Sequence, residues 1–230
     1  KIRCREISLI PQNPLMSLNP VLKIGRQLAE PLWTHLKVPR KDAWKAAEEN
    51  LEKFSFRNPK VVMNQYSFQM SGGMNQRIVS CMGLECGSSW VIADEPTKGL
   101  DSILRRQVYE VLCQARSDGS SSMILITHDL QLARKLCDYM AVLYQGHLVE
   151  QGTVQAVMEH PCHPYTRGLL NAMPARGMHS IPLAVKGQKR EDSGCPFYSR
   201  CQEASLRCRK ADIMECAVSP DQSVRCMNYA

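Results

Sequence analysis

"WVIADEP", residues 90–96, is where the fold becomes readable. Trp90, Val91, Ile92 and Ala93 form an apolar run rich in β-formers, and Pro96 closes it two acids later. Such a run, bounded by a turn residue, reads as a short buried strand. It delivers Asp94 and Glu95 to its carboxyl end, where the ligand sites of open α/β sheets lie. Adjacent residues on a strand point to opposite sides, so the two carboxylates are suited to different work. One is suited to holding Mg²⁺ through water, the other to polarising an attacking water. A solvated acidic turn is the competing reading of the same pair.

Downstream, "MILIT" (123–127) reads as a second buried strand and ends beside His128. Parallel strands end on the same side of a sheet, so this imidazole is expected near the two acids. A lone histidine in a structural role is the alternative. Upstream, residues 7–11 read as a strand that stops at Pro11. Val21, Ile24, Leu28 and Leu32 repeat at helical spacing, as do Trp44, Ala47, Leu51 and Phe54, with Pro39 between the two sets. Residues 74–86 and 129–138 read as helices, and so does 102–117, with Ile103, Leu104, Val108, Val111, Leu112 and Ala115 on its apolar side. "YMAVLY" and "HLVEQG" flank a "QG" turn, and residues 153–175 read as further helix broken by "HPCHPY". Strands alternating with helices argue for an α/β fold with a largely parallel sheet.

Between the helical stretch and residue 90 lies "SFQMSGGMNQR" (67–77). The Ser71 hydroxyl, the backbone N–H groups around Gly72 and Gly73 and the start of a helix together favour an anion. An ordinary N-capped helix after a glycine turn is the plainer account. Yet no lysine loop of the form G-x-x-x-x-G-K-[ST] occurs in the 230 residues.

Composition narrows the classes. No stretch approaches the ~20 consecutive apolar residues of a membrane helix. The formal charge is +7, but the basic residues are scattered, which favours a solvated surface over a nucleic-acid face. The sequence opens at Lys1, not Met, and enters at once into strand-like "EISLIPQ" (6–12), so a longer natural protein is expected upstream. Of the 11 cysteines, Cys195, Cys201, Cys208, Cys216 and Cys226 crowd into the last 36 residues.

Taken together, these motifs resemble the nucleotide-binding subunits of ABC transporters. "SFQMSGGMNQR" is similar to the ABC signature, "WVIADEP" to the Walker B strand, "GLD" (99–101) to the D-loop and "ITHD" to the switch-histidine segment. "LIPQNPLMSLNP" resembles the Q-loop, with Gln12 as its glutamine, and all five stand in family order. "PQNPLMSLNP", "HPCHPYTRGLL" and the tail from "GCPFYSRC" further resemble the oligopeptide, dipeptide and nickel importers. The resemblance covers essentially the whole chain. It implies a P-loop NTPase-like ABC core with a mostly parallel sheet, a helical subdomain and a cysteine-rich C-terminal extension. The corresponding boundaries are 1–14 for a partial core with the Q-loop, 15–73 for the helical subdomain, 74–152 for the catalytic core, 153–193 for C-terminal helices and linker, and 194–230 for the extension.

The resemblance also implies roles. ABC domains pair head to tail, so Ser71, Gly72 and Gly73, with Gln76, would meet the γ-phosphate of ATP held mainly by a partner subunit. Asp94 would hold Mg²⁺ through water, Glu95 would activate the hydrolytic water, His128 would contact the γ-phosphate, Gln12 would sense Mg²⁺ and phosphate, and Asp101 would cross the dimer interface. The implied partners are a second ATPase subunit, two membrane permease subunits and an extracytoplasmic solute-binding protein, with the chain peripheral on the cytoplasmic membrane face. Met70, Met74, Lys98 and Gly99 depart from the commoner pattern without removing a catalytic group, and Asn75 replaces a frequent basic residue at a surface contact. The absent lysine loop is the grave departure: this chain alone is not expected to hold ATP well.

Cys195, Cys201, Cys208 and Cys226 are separated by five, six and seventeen residues, which is not a paired C-x₂-C ribbon. Disulfides are disfavoured in the cytosol, and four thiols suit zinc or an iron–sulfur cluster. The resemblance favours [4Fe–4S], with Cys216 able to replace one thiol; reduced structural cysteines are the plain alternative. Two other functions compete with the importer ATPase for peptides or nickel: a degenerate, non-catalytic regulatory or redox module, which the absent loop favours, and a soluble ABC ATPase.

Overall fold

The computed structural model describes residues 2–117, 122–183, 194–210 and 212–230. The chain divides into two compact units, Lys1–Asp129 and Leu130–Ala230.

The first unit runs β1 (Ile7–Ile10), α1 (Pro14–Ser17), α2 (Ile24–His35), α3 (Arg40–Lys53), α4 (Pro59–Asn64), α5 (Gly72–Leu84), β2 (Trp90–Asp94), α6 (Ser102–Ser117) and β3 (Ser122–Ile126). Its three strands form one parallel sheet in the order β1-β2-β3. Alternation sends Ser8, Ile10, Val91 and Ala93 to a buried face, against which α5 packs. The other face carries Ile7, Leu9, Trp90, Ile124 and Ile126, all exposed large apolar side chains. Within this chain, Ile124 and Ile126 of "MILIT" are exposed, and Met123 and Leu125 are half-buried.

Helices α2 and α3 bury most of the positions the periodicity marks: Ile24 and Leu28 are fully buried, Leu32 nearly so, and Ala47 and Leu51 of α3 are fully buried against them, whereas Trp44 is exposed. Val21 is exposed because α2 begins only at Ile24, and Ile103 is exposed on α6 while Val108 and Leu112 are buried. Gln27 holds the loop ahead of α2: its Oε1 accepts from Asn19 N at 2.7 Å, and its Nε2 donates to Asn19 O at 3.0 Å and Leu22 O at 2.9 Å. Arg77 ties the helical region to α5 and α6. Its guanidinium donates to Phe54 O at 3.1 Å and Gln107 Oε1 at 3.3 Å, and lies 4.3 Å over the Phe56 ring.

Glu85, just after α5, is a buried carboxyl whose Oε1 has no hydrogen-bond partner. The Cys81 thiol lies 3.8 Å from its Oε2. Burial raises its pKa to about 7, against smaller opposing effects of Asn50, Cys81 and Lys53. The folded state therefore binds the proton more tightly than the unfolded chain. Its stability contribution is complete below the unfolded value of 4.5 and is lost as pH rises through about 7. Glu85→Gln is expected to remove that slope, leaving the variant roughly 3 kcal/mol more stable than wild type at pH 8 and near equal at pH 4.5. Urea unfolding at the two pH values measures this; parallel pH profiles for both proteins would refute it.

The second unit runs α7 (Leu130–Leu136), β4 (Tyr139–Tyr144), β5 (His147–Thr153), α8 (Val154–Glu159), α9 (Pro164–Asn171), α10 (Leu206–Lys210), β6 (Cys216–Ser219) and β7 (Gln222–Val224). Its sheet is antiparallel throughout, in the order β4-β5-β7-β6. The expectation of one largely parallel sheet is thus corrected to a parallel sheet and a separate antiparallel one. The reason is local. Gln145 and Gly146 have φ of 48° and 81°, and two consecutive positive φ values make the tight turn that reverses a strand at once. The tail supplies two of the four strands, so residues 194–230 are built into this sheet and do not form a separate extension. Tyr144, Tyr165 and Phe197 pack with ring centroids 4.6 to 5.5 Å apart in the unit's core. Part of the expected linker, residues 184–193, lies outside the described residues.

Candidate functional site

The sheet order β1-β2-β3 brings three chain segments to one edge. Gln12 follows Ile10 by two residues, Ile10 pairs with Ala93, and Asp94 pairs with Ile126. Gln12, Asp94 with Glu95, and His128 therefore leave the carboxyl ends of neighbouring strands, as a ligand site in such a sheet requires. Gln12 and His128 are exposed, and the two acids are half-buried.

Glu95 and His128 are in direct contact. Glu95 N donates to Ile126 O at 2.8 Å, which fixes the backbone across the two strands. Glu95 Oε1 then accepts from His128 N at 3.0 Å and lies 2.7 Å from His128 Nδ1. Glu95 has φ of 48°, a left-handed conformation that costs an L-residue on the order of 1 kcal/mol. Such strain concentrates at functional sites. Beyond it, Lys98 N donates to Glu95 O at 3.0 Å, and Asp101 ends the turn by capping α6, accepting from Ile103 N at 3.0 Å and Leu104 N at 2.9 Å.

The serine–glycine corner forms a second face. Ser71 caps α5, its hydroxyl accepting from Met74 N at 3.3 Å. A Cβ on Gly73 would come 2.7 Å from Leu104 Cδ1, so glycine is required there for α5 to approach the first turn of α6. A Cβ on Gly72 would meet nothing within 4 Å. The amino ends of α5 and α6 thus lie side by side, and the outer one of the two glycines faces open space. Gln76 is buried inside α5, with Nε2 lacking a partner among the described residues. Asn75 is likewise interior, donating to Ser67 O at 3.0 Å, so it is no surface contact residue. Two residues to which the motif reading assigned no role stand out in and after α5, Arg77 and Glu85. The positive charge at a buried helical position was a usable signal for the first; nothing in the local pattern marks the second.

In the second unit, Cys195, Cys201, Cys208 and Cys226 line one cavity together with His163 and Glu203. Burial pushes the Cys195 thiol up to about 11, and the other three thiols add to the rise. The cavity has room for about one water-sized atom, near 10 Å³. Among the described residues, no group of three or more His, Cys, Asp or Glu stands in metal-binding geometry. Cys216 lies apart on β6. The four thiols therefore line one small cavity without forming a metal-binding group as they stand. Among the described residues, no helix is long and apolar enough to cross a membrane.

A parallel sheet with acids at its carboxyl edge and an anion-suited helix corner defines a nucleotide-handling α/β protein, and known proteins agree. The structure matches the ATP-binding cassette MJ0796, solved as a dimer in a post-hydrolysis state bound to ADP and Pi, with a TM-score of 0.59 at 23% identity. The match covers 66% of this chain and 64% of that one, and it shows an ATP-binding cassette fold. The ABC transporter family profile matches residues 1–98, and that of the oligopeptide/dipeptide transporter C-terminal region matches residues 149–208. A putative peptide import ATP-binding protein of Brucella abortus is 35% identical over 240 residues, all of this chain and 71% of its own length. The oligopeptide transport ATP-binding protein OppD of Haemophilus influenzae is 37% identical over 92% of this chain and 67% of its own length. AppD of Bacillus subtilis is 36% identical over all of this chain and 71% of its own. This chain belongs to the ATP-binding proteins of ABC transporters, in their oligopeptide/dipeptide group.

Proposed function

We propose that this chain is the ATP-binding and ATP-hydrolysing subunit of an importer for peptides. The observation that carries the reading is the Glu95–His128 contact at the carboxyl edge of the parallel sheet, 2.7 Å between carboxylate and imidazole. Glu95 is the general base for the attacking water, and His128 orients it and faces the γ-phosphate. Asp94, on the opposite side of the same strand, would hold Mg²⁺, which would supply charge neutralisation on the phosphates. Gln12 reads the same edge and carries its state toward the permease subunits. Phosphoryl transfer depends mainly on positioning and charge stabilisation, which is what these neighbouring strand ends provide.

Ser71, Gly72 and Gly73 face a nucleotide held by a second ATPase subunit, and Asp101 beside them meets the same partner. The capped helix end and the open space over Gly72 support this. Gln76 acts from within α5, as a support for that corner. The chain sits at the cytoplasmic face of the membrane, bound to two permease subunits, with a solute-binding protein delivering substrate. The relatives' names favour peptide over nickel. Uptake by vesicles carrying the complete importer tests the assignment. ATP-dependent accumulation of a labelled tripeptide is expected; accumulation of nickel alone would reassign the substrate, and neither would end the importer reading.

A second proposal concerns the four converging thiols. Cys195, Cys201, Cys208 and Cys226 hold a metal centre, either one zinc ion or, with the cavity widened, a [4Fe–4S] cluster. Iron, sulfide and zinc contents of anaerobically purified protein separate these, and absence of all three would leave the thiols structural.

A further inference from the structure

At the end of the parallel sheet opposite Asp94 and Glu95, two cysteines meet. Ile7 of β1 pairs with Trp90 of β2, and Trp90 N donates to Glu6 O at 2.8 Å. Cys4 lies three residues before Ile7 and Cys86 four before Trp90, so the parallel register carries both to the amino-terminal end of the same strand pair. The two thiols are near enough to influence each other electrostatically. Both side chains are partly exposed and neither is in a disulfide. Cys4 stands at φ 59°, in a turn closed by Cys4 N donating to Ile7 O at 2.9 Å. Glycine suits that backbone better than any residue with a Cβ, so the thiol is held there against the local conformational preference.

We propose that Cys4 and Cys86 form a reversible disulfide on exposure to hydrogen peroxide, a modification site that joins the entry to β1 to the α5–β2 loop. Neither cysteine belongs to the nucleotide edge. Cys81 is the other thiol in the neighbourhood, but it is buried against Glu85 and closed to an oxidant. Burial first, and then Cys4 and Glu85, push the Cys86 thiol up to about 12. In this proposal Cys4, in the turn before β1, attacks, and Cys86, in the α5–β2 loop, resolves. The Cys4 thiolate displaces hydroxide from the O–O bond of peroxide and becomes a sulfenic acid; the hydroxide takes a proton and leaves as water. The Cys86 sulfur then attacks the sulfenic sulfur, and its proton leaves with the hydroxyl as a second water. Two thiols lose two electrons and two protons, and the peroxide is reduced to two waters. Adjacent attacking and resolving thiols are the arrangement of a reversible sensor, and a small dithiol restores the reduced pair.

Differential alkylation and peptide mass spectrometry of the full chain after limiting peroxide test the proposal. The expected product is a Cys4–Cys86 linked peptide pair that disappears with dithiothreitol. Cys4→Gly, which fits the backbone, is expected to fold normally, form no link and leave Cys86 unmodified at the same dose. Cys86→Ala is expected to leave Cys4 without its resolving partner and drive it to the sulfinic acid. Free, alkylatable Cys4 and Cys86 after peroxide, or a link from Cys4 to a different cysteine, would overturn the proposal.

Discussion

Glu95→Gln is expected to lower ATP hydrolysis by the assembled importer about 100- to 10,000-fold, the range for losing a positioned general base. Glutamine keeps the shape and one oxygen acceptor. The bond from His128 N, 3.0 Å in the native protein, has a replacement partner. Nucleotide affinity and melting temperature should therefore stay close to wild type, which separates a lost base from a damaged fold. His128→Ala is expected to slow hydrolysis as well, while leaving the Glu95 backbone pinned through Glu95 N to Ile126 O. Single-turnover hydrolysis by the complete protein is the measurement. A wild-type rate in Glu95→Gln would assign the base to another group and leave the 2.7 Å contact with His128 as a structural pin.

The second large effect lies in the other unit. Glu150 is 1% exposed, and its carboxylate accepts from Cys162 N at 2.7 Å, His163 N at 2.9 Å and Gln222 Nε2 at 2.7 Å. Three buried donors thus converge on one side chain. Glu150→Ala leaves the two backbone amides unpaired and Gln222 Nε2 with only its bond to His160 O at 2.9 Å, a loss of about 3 to 5 kcal/mol for that unit. The loop it holds also starts α9: His163 Nδ1 accepts from Tyr165 N at 3.0 Å. Burial lowers His163 to about 4, with Arg167 adding to the shift, so the imidazole is neutral and its Nδ1 is free to accept. Hydrogen exchange at the Cys162 and His163 amides is expected to accelerate strongly in Glu150→Ala. Unchanged protection of those two amides would show that the carboxylate does not hold the loop.

Most of the first unit was legible because its signals are local. "WVIAD" and "MILIT" carry strand chemistry, and Ile24, Leu28, Ala47 and Leu51 fall at helical spacing on buried faces. The "QG" turn was legible too, but its meaning depends on two backbone angles, and these make the hairpin that replaces a parallel strand. That Gln76 and Asn75 are buried was not legible, because a motif gives order along the chain, not direction around a helix. The Glu95–His128 contact needed the register of β2 against β3, which no single segment contains. Glu150 was invisible for the same reason: its three partners come from residues 12 to 72 positions away. The convergence of four thiols was legible as a count, while the size of the space between them was not.

The pairing of β7 with β5 also sets a schedule. Glu150 lies opposite Val224, so a ribosome making about 5 to 20 residues per second finishes β5 several seconds before its partner strand exists. Throughout that interval one edge of β5 has no neighbour, and the Glu150 carboxylate lacks the Gln222 amide that will complete its shell. An unpaired strand edge is a template for wrong partners, so the nascent chain is most exposed to aggregation after the hairpin has formed. A premature stop anywhere between the hairpin and Gln222 would make that brief hazard permanent, and quality-control proteases would meet the second unit with its sheet half built.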